Sequence, residues 1–169
     1  MKVTVLGAGA WGTALASLLH RGSHTVTIWG HNAAHLDDVR ATGRNERYLP
    51  GIELPRDWIL QSDIAKAIAG AEVIVASVPS KAFREVTRSL VDFSGTIVSV
   101  TKGIEHQTGL TMCGILAENA PQATLAALSG PSLAAEVIRG RLAREKVFAR
   151  RLPRRCLCWR RRWPWGFRE

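Results

Sequence analysis

Val3-Thr4-Val5-Leu6-Gly7-Ala8-Gly9-Ala10-Trp11-Gly12-Thr13-Ala14-Leu15-Ala16 is the stretch that decides how this chain is read. A short apolar run, Lys2 to Leu6, leads into three glycines spaced Gly-x-Gly-x-x-Gly. A helical pattern follows from Trp11 to Arg21, with Leu15, Leu18 and Leu19 at helical spacing and Gly22 as its stop. Strand, glycine turn and helix in that order form the dinucleotide-binding fingerprint. Gly7 allows the tight turn out of the strand. Gly9 has no side chain, so a pyrophosphate can approach the backbone. Gly12 lets the helix pack closely on the strand. The helix N-terminus then offers free N–H groups and the positive end of its dipole. A ligand-free tight turn is the competing reading, and the flanking strand and helix favour the nucleotide.

The rest of the chain alternates in the same way. Strands are expected at His24–Trp29, Val73–Val78, Thr96–Val100 and Thr124–Leu128. Helices are expected at Ala33–Ala41, Asp63–Ala69, from Ser80 (as a cap) through Leu90, Leu110–Asn119 and Leu133–Arg139. Thr42 to Pro55 reads as loop. Strands alternating with helices imply an α/β fold with a doubly wound, mainly parallel, Rossmann-like sheet. Ligands of such sheets sit at the carboxyl ends of the strands. Five stretches converge there: Gly7–Gly12, Gly30–His31, Val78–Ser80, Thr101–Gly103 and Gly130–Ser132.

Individual side chains on these stretches carry chemistry. His31 is placed to touch the adenosine end of a dinucleotide, with a solvated loop histidine as the equal alternative. Lys102 stands between a strand and a glycine, where a cation can bind a phosphate or polarise a carbonyl. Ser132 opens a helix, where its hydroxyl caps the helix or holds an anion. An Asp or Glu that binds a ribose 2′-hydroxyl usually stands about 20 residues past the glycines. This sequence has none there; Asp37 and Asp38 come later, inside the next helical stretch. A 2′-phosphate is therefore not repelled, and either NADP or NAD is admitted.

The net charge of +9 belongs to one end of the chain. From Arg141 onward ten arginines and Lys146 face only Glu145 and Glu169, which accounts for the whole excess. Residues 1–140 carry as many acidic as basic side chains, so no nucleic-acid partner is expected for them. No run of apolar residues is long enough to span a bilayer, and the N-terminus lacks a signal-peptide pattern. Cys113, Cys156 and Cys158 are too few for a disulfide framework. These features lead us to expect a cytoplasmic protein. No metal site is expected, since Cys156-Leu157-Cys158 offers two thiols without further ligands.

Residues 1–140 resemble bacterial NAD(P)-dependent glycerol-3-phosphate dehydrogenase. The resemblance rests on the opening stretch above and on Trp29-Gly30-His31, Tyr48-Leu49-Pro50-Gly51, Val78-Pro79-Ser80, Thr101-Lys102-Gly103-Ile104-Glu105 and Leu128-Ser129-Gly130-Pro131-Ser132. It implies reduction of dihydroxyacetone phosphate to sn-glycerol 3-phosphate with NAD(P)H, a step towards phospholipids. It also implies that Gly7, Gly9, Ala10, Trp11, Gly12, His31, Tyr48 and Lys102 surround the cofactor, with Ala134 on the nicotinamide side. Lys102, Gly130 and Ser132 would hold the substrate.

The resemblance is expected to stop at about Arg141. In the family, further strands, a catalytic lysine and an all-helical substrate domain follow. The general-acid lysine would lie beyond Glu169, so no catalytic residue is expected within the chain, and the C-terminal helical domain would be absent. The expected organisation is an incomplete dinucleotide-binding domain at 1–140 and an Arg/Trp-rich tail at 141–169. The family's homodimer would not carry over without the helical domain. The tail admits three readings: an out-of-frame translation of a GC-rich gene, a basic–aromatic arm for nucleic acid or anionic membrane, or a solvated extension. The alternative function is a nucleotide-binding module without catalysis.

Overall fold

The computed structural model describes residues 1–140 and the backbone of Lys146–Ala149. The remainder of the Arg/Trp-rich stretch, with all three readings of it, lies outside the described residues. The first half runs β1 (Lys2–Leu6), α1 (Ala10–Arg21), β2 (Thr25–Trp29), α2 (Ala33–Thr42), β3 (Ile59–Gln61) and α3 (Ile64–Ile68). The second half runs β4 (Val73–Ala76), α4 (Ser80–Thr87), β5 (Thr96–Ser99), α5 (Met112–Asn119), β6 (Thr124–Ser129), α6 (Ala134–Ile138) and β7 (Lys146–Ala149). These strands form one sheet in the order β3-β2-β1-β4-β5-β6-β7. All pairings are parallel except that of β6 with β7, which is antiparallel.

Both faces of the sheet are covered, and the side-chain period of two sorts the strand residues between them. Val3 and Val5 face the side covered by Leu15, Leu19, Val137 and Ile138 of α1 and α6. Leu6, Ile74 and Ile97 face the side covered by Phe83, Ile115 and Leu116 of α4 and α5. Thr4 is the polar exception on that second face. It is almost fully buried, and its hydroxyl donates to the Ala67 carbonyl of α3 at 2.7 Å. That bond removes the cost of an unpaired buried hydroxyl.

Several sequence expectations are corrected in detail. Ser80 is the first residue of α4 and not its cap; Pro79 holds the cap position, and no side chain caps this helix. Ser132 does not open α6, which starts at Ala134 after Leu133. The fourth strand ends at Ala76, two residues short of the expected Val78, although Ser77 N still donates to the Leu6 carbonyl of β1 at 2.8 Å. Strand β3 is unexpected. It has three partly or fully exposed residues and no alternation long enough to signal a strand; its pairing with Thr27–Trp29 defines it. The strand Lys146–Ala149 extends the sheet past β6, where the sequence reading had ended it.

The loop expected at Thr42–Pro55 runs instead from Gly43, after α2, to Trp58, before β3, and it is anchored. Leu49, Leu54 and Trp58 are buried and join the core on the α1 face. This anchoring fixes the segment carrying Asn45, Arg47 and Tyr48 against the carboxyl ends of β1 and β2.

Candidate cofactor site

The chain turns in opposite directions from β1: β2 lies on one side of it and β4 on the other. A crevice therefore forms where β1 ends, the position at which doubly wound sheets bind ligands. A cavity of about 510 Å³ opens there. Gly7 to Trp11 form its floor, Gly30, His31 and Asn32 one flank, and Ser77, Val78, Pro79, Val100 and Thr101 the other. His35, Arg47 and Tyr48 complete the first flank, and Trp29 also lines the cavity.

The three glycines of the turn differ in what requires them. Gly7 has φ of 117°, its N–H donates to the Trp29 carbonyl at 2.8 Å, and a Cβ there would lie 2.5 Å from the Ser77 carbonyl oxygen. A Cβ on Gly12 would lie 1.9 Å from the Gly7 carbonyl oxygen. Protein packing thus explains both. Gly9 is different. Its φ of −79° and ψ of −177° suit any residue, and a Cβ would meet no atom within 4 Å. Nothing in the protein itself demands a glycine at Gly9. A ligand lying against this backbone would.

Helix α1 begins at the same point. No side chain caps it, and its first turn holds no acidic residue. Its leading N–H groups and positive dipole end therefore remain available to an anion. The residues present fit the pyrophosphate of a dinucleotide: a bare glycine, an uncapped helix of 12 residues and a cavity of about 510 Å³ in front of them.

Asn45 holds this turn in place and was not anticipated. It is almost fully buried, and its amide donates to the Ala8 carbonyl at 3.0 Å and to the Thr13 hydroxyl at 2.8 Å. Its backbone carbonyl accepts from Tyr48 N at 3.1 Å and Leu49 N at 2.8 Å. One residue thereby ties the glycine turn to the segment bearing Arg47 and Tyr48. A loop asparagine carries no sequence signal for such a role; only its burial reveals it.

On the other flank Thr101 ties the segment after β5 to the segment after β4, its hydroxyl donating to the Val78 carbonyl at 2.7 Å. The next residue, Lys102, reaches across the strand ends, and its Nζ donates to the Gly130 carbonyl at 2.7 Å. The loop carrying Lys102 is fixed three residues later. Arg84 donates from Nε and Nη2 to the two carboxylate oxygens of Glu105, each at 2.7 Å, and from Nη1 to Glu118 at 2.6 Å. Thr108 donates to Glu105 as well. These donors hold the Glu105 carboxyl down at about 2, and the two carboxylates push the Arg84 guanidinium up.

Of the residues expected from sequence, Gly7, Gly9, Ala10, Trp11, His31 and Tyr48 line this one cavity. Gly12 packs behind it. Lys102 and Gly130 meet beside it at the ends of β5 and β6. Ser132, half-buried, follows Gly130 in the segment before α6, and Ala134, like Ala10 and Trp11, packs against the core on the α1 face of the sheet. Arg47, His35 and Asn32 line the cavity without having been singled out. Among the described residues no three His, Cys, Asp or Glu side chains come together as a metal site, and no helix is long and apolar enough to cross a membrane.

Comparison with known proteins shows the family. Residues 2–150 match the family described as the N-terminus of NAD-dependent glycerol-3-phosphate dehydrogenase, ten residues further than the boundary drawn at residue 140. The chain is 49% identical over 146 residues to glycerol-3-phosphate dehydrogenase [NAD(P)+] of Anaeromyxobacter sp. (strain K), covering 83% of this chain and 44% of the relative. It is 42% identical over 145 residues to the enzyme of that name from Desulfotalea psychrophila, covering 80% and 43%. The crystal structure of glycerol-3-phosphate dehydrogenase from Coxiella burnetii superimposes with a TM-score of 0.82 at 33% identity, covering 89% of this chain and 47% of that one. The chain thus spans less than half the length of these relatives, and the match over residues 2–150 makes it a member of the NAD-dependent glycerol-3-phosphate dehydrogenase family, in its N-terminal, dinucleotide-binding part.

Proposed function

We propose that residues 1–140 bind NADP or NAD in the crevice beyond β1 and contribute Lys102, Gly130 and Ser132 to a site for a phosphorylated three-carbon substrate. The reaction is reduction of dihydroxyacetone phosphate to sn-glycerol 3-phosphate, in the cytoplasm. One observation carries the cofactor part: the space at Gly9 is required by no protein atom and lies before an uncapped helix N-terminus. Ala10 and Trp11 would flank the pyrophosphate, and His31 and Tyr48 the adenosine. Ala134 would border the nicotinamide, which when bound supplies the hydride.

Lys102 supplies positive charge at the mouth of the crevice. Its Nζ already bridges to Gly130, so the ends of β5 and β6 are held together where the substrate would sit. An ammonium in that position attracts a phosphate or draws electron density from a carbonyl oxygen. A general acid for that oxygen must lie within about 2.6–3.2 Å of it. One lysine does not both clamp a phosphate and protonate a carbonyl several bonds away. We therefore assign Lys102 to binding, and expect the 169-residue polypeptide to bind cofactor while turning over weakly or not at all. The relatives' greater length makes a second contributing domain, and the dimer, part of this same reading.

Fluorescence titration of the polypeptide with NADPH and NADH, followed by NADPH oxidation with dihydroxyacetone phosphate, tests both parts. Saturable cofactor binding with turnover reduced by about 10²-fold or more relative to a full-length relative is expected, since losing a general acid costs typically about 10²–10⁴-fold. Failure to bind either cofactor would end the cofactor reading. Turnover within about tenfold of the relative would end the assignment of Lys102 to binding alone.

A further inference from the structure

Arg47 is the one arginine or lysine among the residues lining the cavity, and no Asp or Glu lines it. Its guanidinium carbon lies 5.3 Å from the centroid of the Tyr48 ring, and Tyr48 meets the His35 ring edge-on at 5.4 Å. Both aromatic neighbours line the same flank, beside His31 at the carboxyl end of β2. The nearby Arg44 is occupied by Glu46 and Glu53, at 3.9 and 3.0 Å. Arg47 has no carboxylate partner among the described residues. Its turn is fixed from behind by Asn45, whose carbonyl accepts from the backbone N–H groups of Tyr48 and Leu49.

The end of β2 is where a doubly wound sheet reads the ribose of the adenosine half. A carboxylate there binds the 2′-hydroxyl and repels a 2′-phosphate. A guanidinium does the reverse, because its planar fork matches phosphate oxygens and its charge is permanent. Stacking on Tyr48 gives the guanidinium a preferred orientation while leaving its edge N–H groups free to donate. We propose that Arg47 binds the 2′-phosphate of NADP(H) and sets the choice of NADP over NAD. The proposal rests on the cofactor reading above and adds to it the group that discriminates the two cofactors.

The test compares NADPH and NADH affinities of the 169-residue polypeptide, wild type, Arg47→Ala and Arg47→Lys, by fluorescence titration. Arg47→Ala should weaken NADPH by about 10- to 100-fold, the range for a charge-assisted hydrogen bond, while NADH changes by less than about twofold. Arg47→Lys should fall between wild type and Arg47→Ala for NADPH, since it keeps the charge and loses the fork. The NADPH affinity of wild type and of Arg47→Lys should drop more steeply than that of Arg47→Ala as salt is raised, with NADH less affected. Retained NADH binding certifies the fold of each variant. Equal losses for both cofactors, or no loss for either, would overturn the role of Arg47 while leaving the cofactor site standing. A wild type that binds neither cofactor would overturn both.

Discussion

Arg84 holds Glu105 through two parallel hydrogen bonds of 2.7 Å, and this pair fixes the loop on which Lys102 stands. Neither residue lines the cofactor cavity. Their effect on the site passes through the backbone of Thr101 to Glu105, which a bidentate pair orients better than a single contact would. The pair also links α4 to the Lys102 loop, and the third bond from Arg84 extends it to Glu118 on α5.

This pair makes stability depend on acid in a definite direction. The Glu105 carboxyl lies near 2 in the folded protein, against an ordinary value of 4.5, chiefly because Arg84 donates to it. A lowered folded value means that the contribution is complete above pH about 4.5, declines as pH falls towards about 2, and is gone below it. Asp57, drawn down by His20, declines in the same direction, so the informative quantity is a difference between variants. Denaturant melts of wild type and Glu105→Gln at several pH values should show the wild-type advantage shrinking below pH about 4.5. A constant difference down to pH about 2 would show that Arg84 does not hold this carboxylate.

Asn45 should matter to both stability and binding. Asn45→Ala leaves the Ala8 carbonyl and the Thr13 hydroxyl without their donor in a buried place. Unpaired buried groups cost about 1–3 kcal/mol. Asn45→Asp should be worse, because a carboxylate would face the Ala8 carbonyl with no proton to give. Thermal melts would order the three proteins. Variants as stable as wild type would remove Asn45 as the brace of the glycine turn.

The glycine turn, the alternation of strands and helices, and the crevice residue His31 were legible because each is a local pattern: a spacing, a period or a stop. Strand β3 was not, since a three-residue strand has no period to show and exists through its pairing with β2. Ser80 and Ser132 look like helix caps in sequence, yet the cap positions fall one residue away from each, at Pro79 and Leu133. Boundaries of this kind depend on where the neighbouring strand ends. Asn45 and Arg84 were invisible for a further reason. Asn45 reaches partners more than 30 residues away, and Arg84 reaches Glu105 across 21 positions, so no local signature marks either.

Gly12 and Gly9 separate folding from binding. Gly12→Ala puts a Cβ 1.9 Å from the Gly7 carbonyl oxygen, so α1 must shift off β1. A cost of about 1–3 kcal/mol or more is expected. Gly9→Ala meets nothing and adopts its backbone angles without strain, so its melting temperature should match that of wild type. Equal destabilisation by the two substitutions would mean that Gly9 is kept for packing after all.

The most direct measurement is therefore NADPH affinity in a folded Gly9→Val protein. Valine fits the backbone at this position and touches no protein atom within 4 Å at its Cβ, so folding should survive, as checked by circular dichroism and thermal melting. Its side chain would occupy the path that a pyrophosphate takes past the turn to the α1 N-terminus. Saturable NADPH binding by wild type and none by a Gly9→Val protein of equal stability is the expected result. Equal NADPH affinity in the two would contradict the assignment of this crevice to the dinucleotide.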